Sequence, residues 1–164
     1  MDTYRRAIRG AVGGLVAAGL VVVSFFVLDL LRLQPFATSG ALSGAFYGPA
    51  GYAWDFTSVS GLIAVVGVAY QIVTFTLLHF LAFSMAGVLV SLLFQENNLA
   101  GLKPLLVATT LCTGALYGTV AAASSLVAMR SIGPLVMVSV MVCAAFILVG
   151  YLRLAAMPEP EGEN

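Results

Sequence analysis

The feature that most constrains this chain is one long uncharged stretch, Gly61 to Phe94 (GLIAVVGVAYQIVTFTLLHFLAFSMAGVLVSLLF). It contains no Asp, Glu, Lys or Arg, and it holds the only histidine of the chain, His79. As an α-helix, a stretch of this length reaches ~50 Å, whereas the hydrocarbon core of a bilayer is ~30 Å thick. We therefore expect this stretch to cross a membrane, with its first turns tilted, kinked or outside the hydrocarbon.

The composition of the whole chain agrees with a membrane location. Hydrophobic residues make up 61% of the sequence and charged residues 9%, whereas soluble domains carry roughly 25% charged residues. The net charge is zero, so no basic surface indicates a nucleic-acid partner. The two cysteines, Cys112 and Cys143, lie inside apolar runs without metal-ligand spacing, so we expect reduced packing residues and no metal site.

Further apolar runs complete a predicted all-α fold, a polytopic four-helix transmembrane bundle. The spans are expected at about residues 11–31, 62–94, 105–129 and 135–154, within a transmembrane domain of residues 11–155. Residues 1–10 form the expected cytoplasmic N-terminus, and residues 156–164 an acidic tail that we expect to be disordered. The first apolar run is longer than the ~7–15 residues of a signal-peptide core, so a retained helix is favoured.

Residues 32–58 interrupt the apolar pattern with two prolines and several glycines. Thr38 or Ser39 is a candidate N-cap for a short helix that ends near Tyr47. Aromatic side chains with polar tips lie in the same region: Tyr47, Tyr52 and Trp54. Such side chains concentrate at the membrane–water boundary, so we expect a short interfacial helix between the first two spans.

The distribution of basic residues predicts the orientation of the bundle. With a cytoplasmic N-terminus, the inner side carries Arg5, Arg6, Arg9, Lys103 and Arg153, and the outer side carries Arg32 and Arg130. Cytoplasmic loops usually hold the excess of Lys and Arg. The sequence therefore predicts a multi-pass protein of a bacterial inner membrane with both termini in the cytoplasm.

Small residues recur at helical spacing on three of the predicted spans. They are Gly10, Gly14 and Ala18 on the first span, Ala82 and Ala86 on the second, and Gly114, Gly118 and Ala122 on the third. Small residues let the backbones of membrane helices approach closely. These stripes therefore indicate either packing inside this bundle or an outward face for a partner subunit.

A few polar residues are expected at membrane depth near the outer side. They are Asp29, Arg32, His79, Ser124 and Ser125. Asp29 and Arg32 are three residues apart and can pair locally, and a hydrogen bond between Asp29 and His79 is geometrically possible. Ionisable residues inside a bilayer are costly, so this set indicates a structural polar clasp between helices or a protonation-linked or ligand site.

A lone transmembrane histidine can also ligate the metal of haem or bacteriochlorophyll. The chain has no second His to complete a two-His haem site, and the bulky Phe75 lies four residues before His79, where a bacteriochlorophyll ring needs space. No cofactor is therefore expected, with a tetrapyrrole at His79 as the open alternative. No spacing typical of a catalytic site occurs, so the chain is not expected to be an enzyme.

Two pieces, FFVLDLLRLQPFATSGALSGAFYG (Phe25 to Gly48) and HFLAFSMAG (His79 to Gly87), resemble a pattern in uncharacterised small bacterial four-helix membrane proteins. In that pattern the first helix ends in an Asp, a proline-containing turn leads to a short surface helix, and a His-Phe pair lies in the second helix. The resemblance implies that Asp29, the Pro35 turn and His79 form a shared polar architecture. It implies nothing about activity.

Three functions remain open from the sequence. The first, which the sequence favours, is a non-enzymatic accessory or structural subunit of a larger membrane complex, for example an energy-transducing (respiratory or photosynthetic) one. Its expected partners are the lipid bilayer and other membrane subunits or a second copy of the chain. The second is a small homo-oligomeric transporter or sensor whose site comprises Asp29 and His79. The third is a tetrapyrrole binder through His79.

Overall fold

The computed structural model describes residues 3–33, 38, 57–94, 98–99, 101–121 and 134–156. These residues form four α-helices and no strand: α1 (Thr3–Leu31), α2 (Val59–Leu93), α3 (Leu102–Ala121) and α4 (Pro134–Ala156). α1, α2 and α4 are each long and apolar enough to cross a membrane. The all-helical class and the presence of membrane-compatible helices are thus confirmed.

The helices differ from the predicted spans mainly at their ends. α1 begins at Thr3, so Arg5, Arg6 and Arg9 belong to this helix and not to a segment that precedes it. α3 begins at Leu102 and is described as far as Ala121, so residues 122–129 of the predicted third span lie outside the described residues. The predicted interfacial helix and the acidic tail from residue 157 onward also lie outside them.

Local signals explain two of the helix ends. Ser58 caps α2, because its side-chain oxygen accepts a hydrogen bond from the N–H of Gly61 at 3.0 Å. α1 ends in a tight turn in which Leu33 adopts a φ of 55° and donates its N–H to the carbonyl of Leu30. This left-handed position usually holds glycine, so the turn carries a side chain where none is preferred.

α1 and α2 meet backbone to backbone. A Cβ atom added at Gly87 of α2 would collide with the carbonyl oxygen of Gly10 on α1, and one added at Gly14 would collide with the carbonyl oxygen of Phe83. Only glycine permits this approach, since any side chain would push the two helices apart. The contact therefore fixes the register between α1 and α2.

Polar contacts between α1 and α2 support the same register. The hydroxyl of Ser84 donates to the carbonyl of Ala11 at 3.0 Å, and the hydroxyl of Ser91 donates to the carbonyl of Arg6 at 2.8 Å. The guanidinium of Arg6 in turn donates to carbonyls at the end of α2, those of Ser91, Leu92 and Phe94. These bonds satisfy carbonyls that have no partner within α2.

The four helices form a ring in which each contacts its neighbours. α1 packs against α2 and α4, and α3 packs against the same two helices. The buried centre includes Val21 of α1, Phe83 of α2, Leu116 of α3 and Leu148 of α4. The histidine of α2 and the aspartate of α1 lie on the inner side of this ring, where both are buried.

Candidate functional site

Asp29 is the only acidic side chain among the described residues, and it is almost completely buried, with 1% of its surface exposed. Its two carboxylate oxygens accept hydrogen bonds from the backbone N–H of Thr38 at 2.7 Å and from the Thr38 hydroxyl at 2.6 Å. Hydrogen bonds to a charged acceptor are strong, and they offset the cost of burying it. Asp29 therefore ties the segment after α1 back onto the end of that helix.

His79 is also buried, with 3% of its surface exposed, in a cluster of phenylalanines on α2. Its ring centroid lies 4.4 Å from that of Phe83 and 6.3 Å from those of Phe75 and Phe80. The backbone of Ala18 lies beside the imidazole, yet neither ring nitrogen makes a hydrogen bond of normal geometry. A buried imidazole without such a bond is costly, so His79 is not explained as a simple packing residue.

A small cavity lies between His79 and Thr38, the partner of Asp29. Its volume is about 20 Å³, and its lining includes His79, Thr38 and Thr76 among apolar side chains. A cavity of ~10–15 Å³ or more can hold one water molecule when polar partners are present. Thr38 thus contacts Asp29 on one side and faces the cavity beside His79 on the other, so the three residues form one layer.

The layer differs from the predicted cluster in its connections. Asp29 and His79 do not hydrogen-bond to each other, and Asp29 makes no ion pair with Arg32, which lies at the exposed end of α1. Two further members of the predicted cluster, Ser124 and Ser125, lie outside the described residues, as do the predicted interfacial residues Tyr47, Tyr52 and Trp54.

Two polar residues of this region were not among the predicted site residues. The sequence indicates Thr38 only as an N-cap candidate, because it lies nine residues after Asp29, beyond the segment that contains Pro35, at no helical spacing from Asp29. Gln71 lies two helical turns before His79 on α2, and its side-chain carbonyl oxygen is buried without a hydrogen-bond partner. Gln71 can be recognised in the sequence as a polar residue within a long uncharged stretch, where such residues are rare.

Some of the small residues predicted to pack between helices are buried in the molecule, and others are exposed. Ala86 is buried, and Ala82 is half-buried. Gly114 and Gly118 on α3 are exposed, and nothing lies within 4 Å of a Cβ atom added at either position. Ala122 lies outside the described residues. The one true GxxxG motif of the third span is thus open on its outer side.

The site offers little room for a large cofactor. A macrocycle would need open space at a ring nitrogen of His79, whereas the cavity there has a volume of about 20 Å³ and Phe83 packs directly on the ring. The residues present therefore do not fit a tetrapyrrole. In the part of the chain that the structure describes, no three His, Cys, Asp or Glu side chains are grouped to hold a metal ion.

Comparison with known proteins gives no assignment: no family model, curated protein or solved structure matches this chain.

Proposed function

We propose that the chain is a non-enzymatic membrane subunit that joins other membrane proteins through the outer face of α3. The observation that carries this proposal is the open pair Gly114 and Gly118. Exposed leucines and valines are expected on any helix that faces lipid, so they do not distinguish a subunit from a free bundle. Two exposed glycines four residues apart on one helix are different, because they present no side chain that could pack against lipid.

The energetic argument rests on the cost of glycine in a helix. Glycine in a helix interior is less stable than alanine by roughly 0.5–1 kcal/mol per residue. Inside this molecule that cost is offset at Gly14 and Gly87, where two backbones touch. At Gly114 and Gly118 no contact with the described residues offsets this cost. A partner helix packed closely against these two glycines would offset it.

α2, which adjoins α3, is the candidate span least covered by the described part of the molecule. In the most apolar window of each candidate span, 11% of α2 is buried inside the molecule, against 33% for α1 and 44% for α4. α2 and α3 are neighbours in the ring. Their outer faces together offer a continuous surface on which a partner helix, or a second copy of this chain, can pack.

The test is purification of the tagged chain from native membranes in mild detergent, followed by mass measurement of the intact assembly. We expect the wild type to elute within a larger assembly, and the Gly114→Leu/Gly118→Leu double variant to elute as a smaller folded species. Gly19→Leu is the matched control, because Gly19 also has nothing within 4 Å of an added Cβ but lies on α1. A wild type that elutes as a monomer would contradict the proposal.

A second candidate function is a protonation-linked sensor or transporter at the layer of Asp29, Thr38 and His79. The observation in its favour is the imidazole, which makes no hydrogen bond of normal geometry to the described residues and lies beside a water-sized cavity. In liposomes that contain the protein and an internal pH dye, this function predicts proton movement that is lost in His79→Phe. Identical proton permeability of wild type, variant and empty liposomes would reject it.

A further inference from the structure

A groove lies between the start of α3 and the end of α4, and its volume of about 390 Å³ is far larger than that of the cavity at His79. Its α3 side includes Leu102 and Leu105, and its α4 side includes Phe146 and Gly150. Phe146 leaves 58% of its surface exposed there. The groove is therefore a largely apolar cleft on the outer surface of the bundle.

One end of the groove is basic. Arg153 lines it, and the Nε and Nη2 atoms of this side chain donate to the carbonyl of Leu99, with Nε at 2.8 Å. These two bonds hold the guanidinium in place, and Nη1 has no partner among the residues that the structure describes. Lys103, next to the groove residue Leu102, is exposed.

This end of the molecule concentrates basic charge. A second, smaller cavity is lined by Arg6, Arg9 and Leu99 together with the last turn of α4, so the N-terminus of α1 lies beside the C-terminus of α4. Within the described ranges, the one acidic side chain, Asp29, is at the opposite end of α1. The other six acidic residues of the chain lie outside these ranges: Asp2, Asp55, Glu96, Glu159, Glu161 and Glu163.

We propose that the groove binds one anionic phospholipid. An acyl chain lies against Leu102, Leu105 and Phe146, and the headgroup phosphate accepts hydrogen bonds from Arg153. Arginine is well suited to phosphate oxygens, and each Lys or Arg near an anionic membrane surface strengthens the attraction. Lys103 supplies a second positive charge to the same headgroup. This inference does not depend on the subunit proposed above.

The first experiment fills the groove without disturbing the fold. Nothing lies within 4 Å of a Cβ atom added at Gly150, so Gly150→Leu places a side chain in the groove without a backbone clash. The purified protein is incubated with equal amounts of phosphatidylglycerol and phosphatidylcholine, and native mass spectrometry counts the lipids retained. We expect one phosphatidylglycerol on the wild type and on Gly19→Leu, and none on Gly150→Leu.

The second experiment tests the headgroup. Lys103→Gln should lower the preference for phosphatidylglycerol over phosphatidylcholine by about fivefold, the effect of one basic residue at a membrane surface. Arg5→Gln is the matched control, because Arg5 is exposed at the same end of the molecule but lies on α1. Equal retention of the two lipids by the wild type, or full retention of phosphatidylglycerol by Gly150→Leu, would overturn the proposal.

Discussion

At the scale of single residues, the buried carboxylate of Asp29 and the buried imidazole of His79 differ in whether the described residues supply hydrogen-bond partners. Asp29 has hydrogen bonds to both carboxylate oxygens, and both come from Thr38. His79 has none of normal geometry, although it is buried to a similar degree. Asp29 is therefore explained by the fold, whereas His79 is the residue whose presence calls for a functional reason.

The contact between Asp29 and Thr38 gives the first prediction. Thr38→Val keeps the shape of the side chain but removes the hydroxyl donor, so the buried carboxylate loses one of its two bonds. We expect the free energy of unfolding in detergent to fall by about 1–3 kcal/mol. Thr110→Val is the control, because the Thr110 hydroxyl bonds only to the carbonyl of Leu106 on an exposed face. Equal losses in the two variants would show that the bond to Asp29 contributes nothing.

The unpaired imidazole gives the second prediction. His79→Phe removes two nitrogens that have no hydrogen-bond partner and places a phenyl ring among Phe75, Phe80 and Phe83. The adjacent cavity accommodates the added atoms, so we expect the free energy of unfolding to change by less than about 1 kcal/mol. Thermal unfolding of the purified variant measures this. A loss of about 3 kcal/mol or more would mean that the imidazole has a partner that stabilises the fold.

The sequence predicts the buried polar residues better than it predicts their partners. Asp29 and His79 can be chosen because ionisable residues are rare at membrane depth. The partner of Asp29 is Thr38, nine residues along the chain, and no helical spacing relates the two across the segment that contains Pro35. The bond between Asp29 and His79 that the sequence leaves possible is not formed, and the carboxylate accepts from Thr38 instead.

At the scale of the helices, the spacing of small residues indicates where backbones can approach but not which helices approach. A GxxxG spacing occurs both at Gly10 and Gly14 of α1 and at Gly114 and Gly118 of α3, yet only the pair on α1 lies against the backbone of another helix, at Gly87 and Phe83 of α2. Gly87 lies just beyond the predicted pair Ala82 and Ala86. Helix class and approximate spans follow from hydropathy alone, whereas the pairing of helices depends on three-dimensional register.

The contact of α1 with α2 gives the third prediction. Gly87→Ala places a methyl group against the carbonyl oxygen of Gly10, and a backbone atom cannot yield as a flexible side chain does. We expect a loss of about 3 kcal/mol or more, or failure to fold. Gly67→Ala, on the same helix, meets nothing within 4 Å and should gain about 0.5–1 kcal/mol. Similar unfolding temperatures for the two variants would contradict the packing of α1 on α2.

At the scale of the whole molecule, the contacts bring the basic residues of distant segments to one end. Arg6 bonds to the end of α2, and Arg153 of α4 bonds to Leu99 just before α3. Basic side chains from the start of α1, the start of α3 and the end of α4 therefore lie at the same end of the molecule. Arg32 lies apart from it, at the far end of α1.

The basic end gives the last prediction, which concerns orientation. Because the side with more Lys and Arg stays in the cytoplasm, both the start of α1 and the end of α4 should face it. In a chain with Cys112→Ala and Cys143→Ala, a single cysteine at Thr3 should react with a membrane-impermeant maleimide only in inverted vesicles. A single cysteine at Leu33, exposed beyond the other end of α1, should react only in intact cells. The reverse pattern would place the basic end outside, where the lipid groove would face the outer leaflet. Cysteines at Thr3 and Leu33 that react from the same side would show that α1 does not span the membrane.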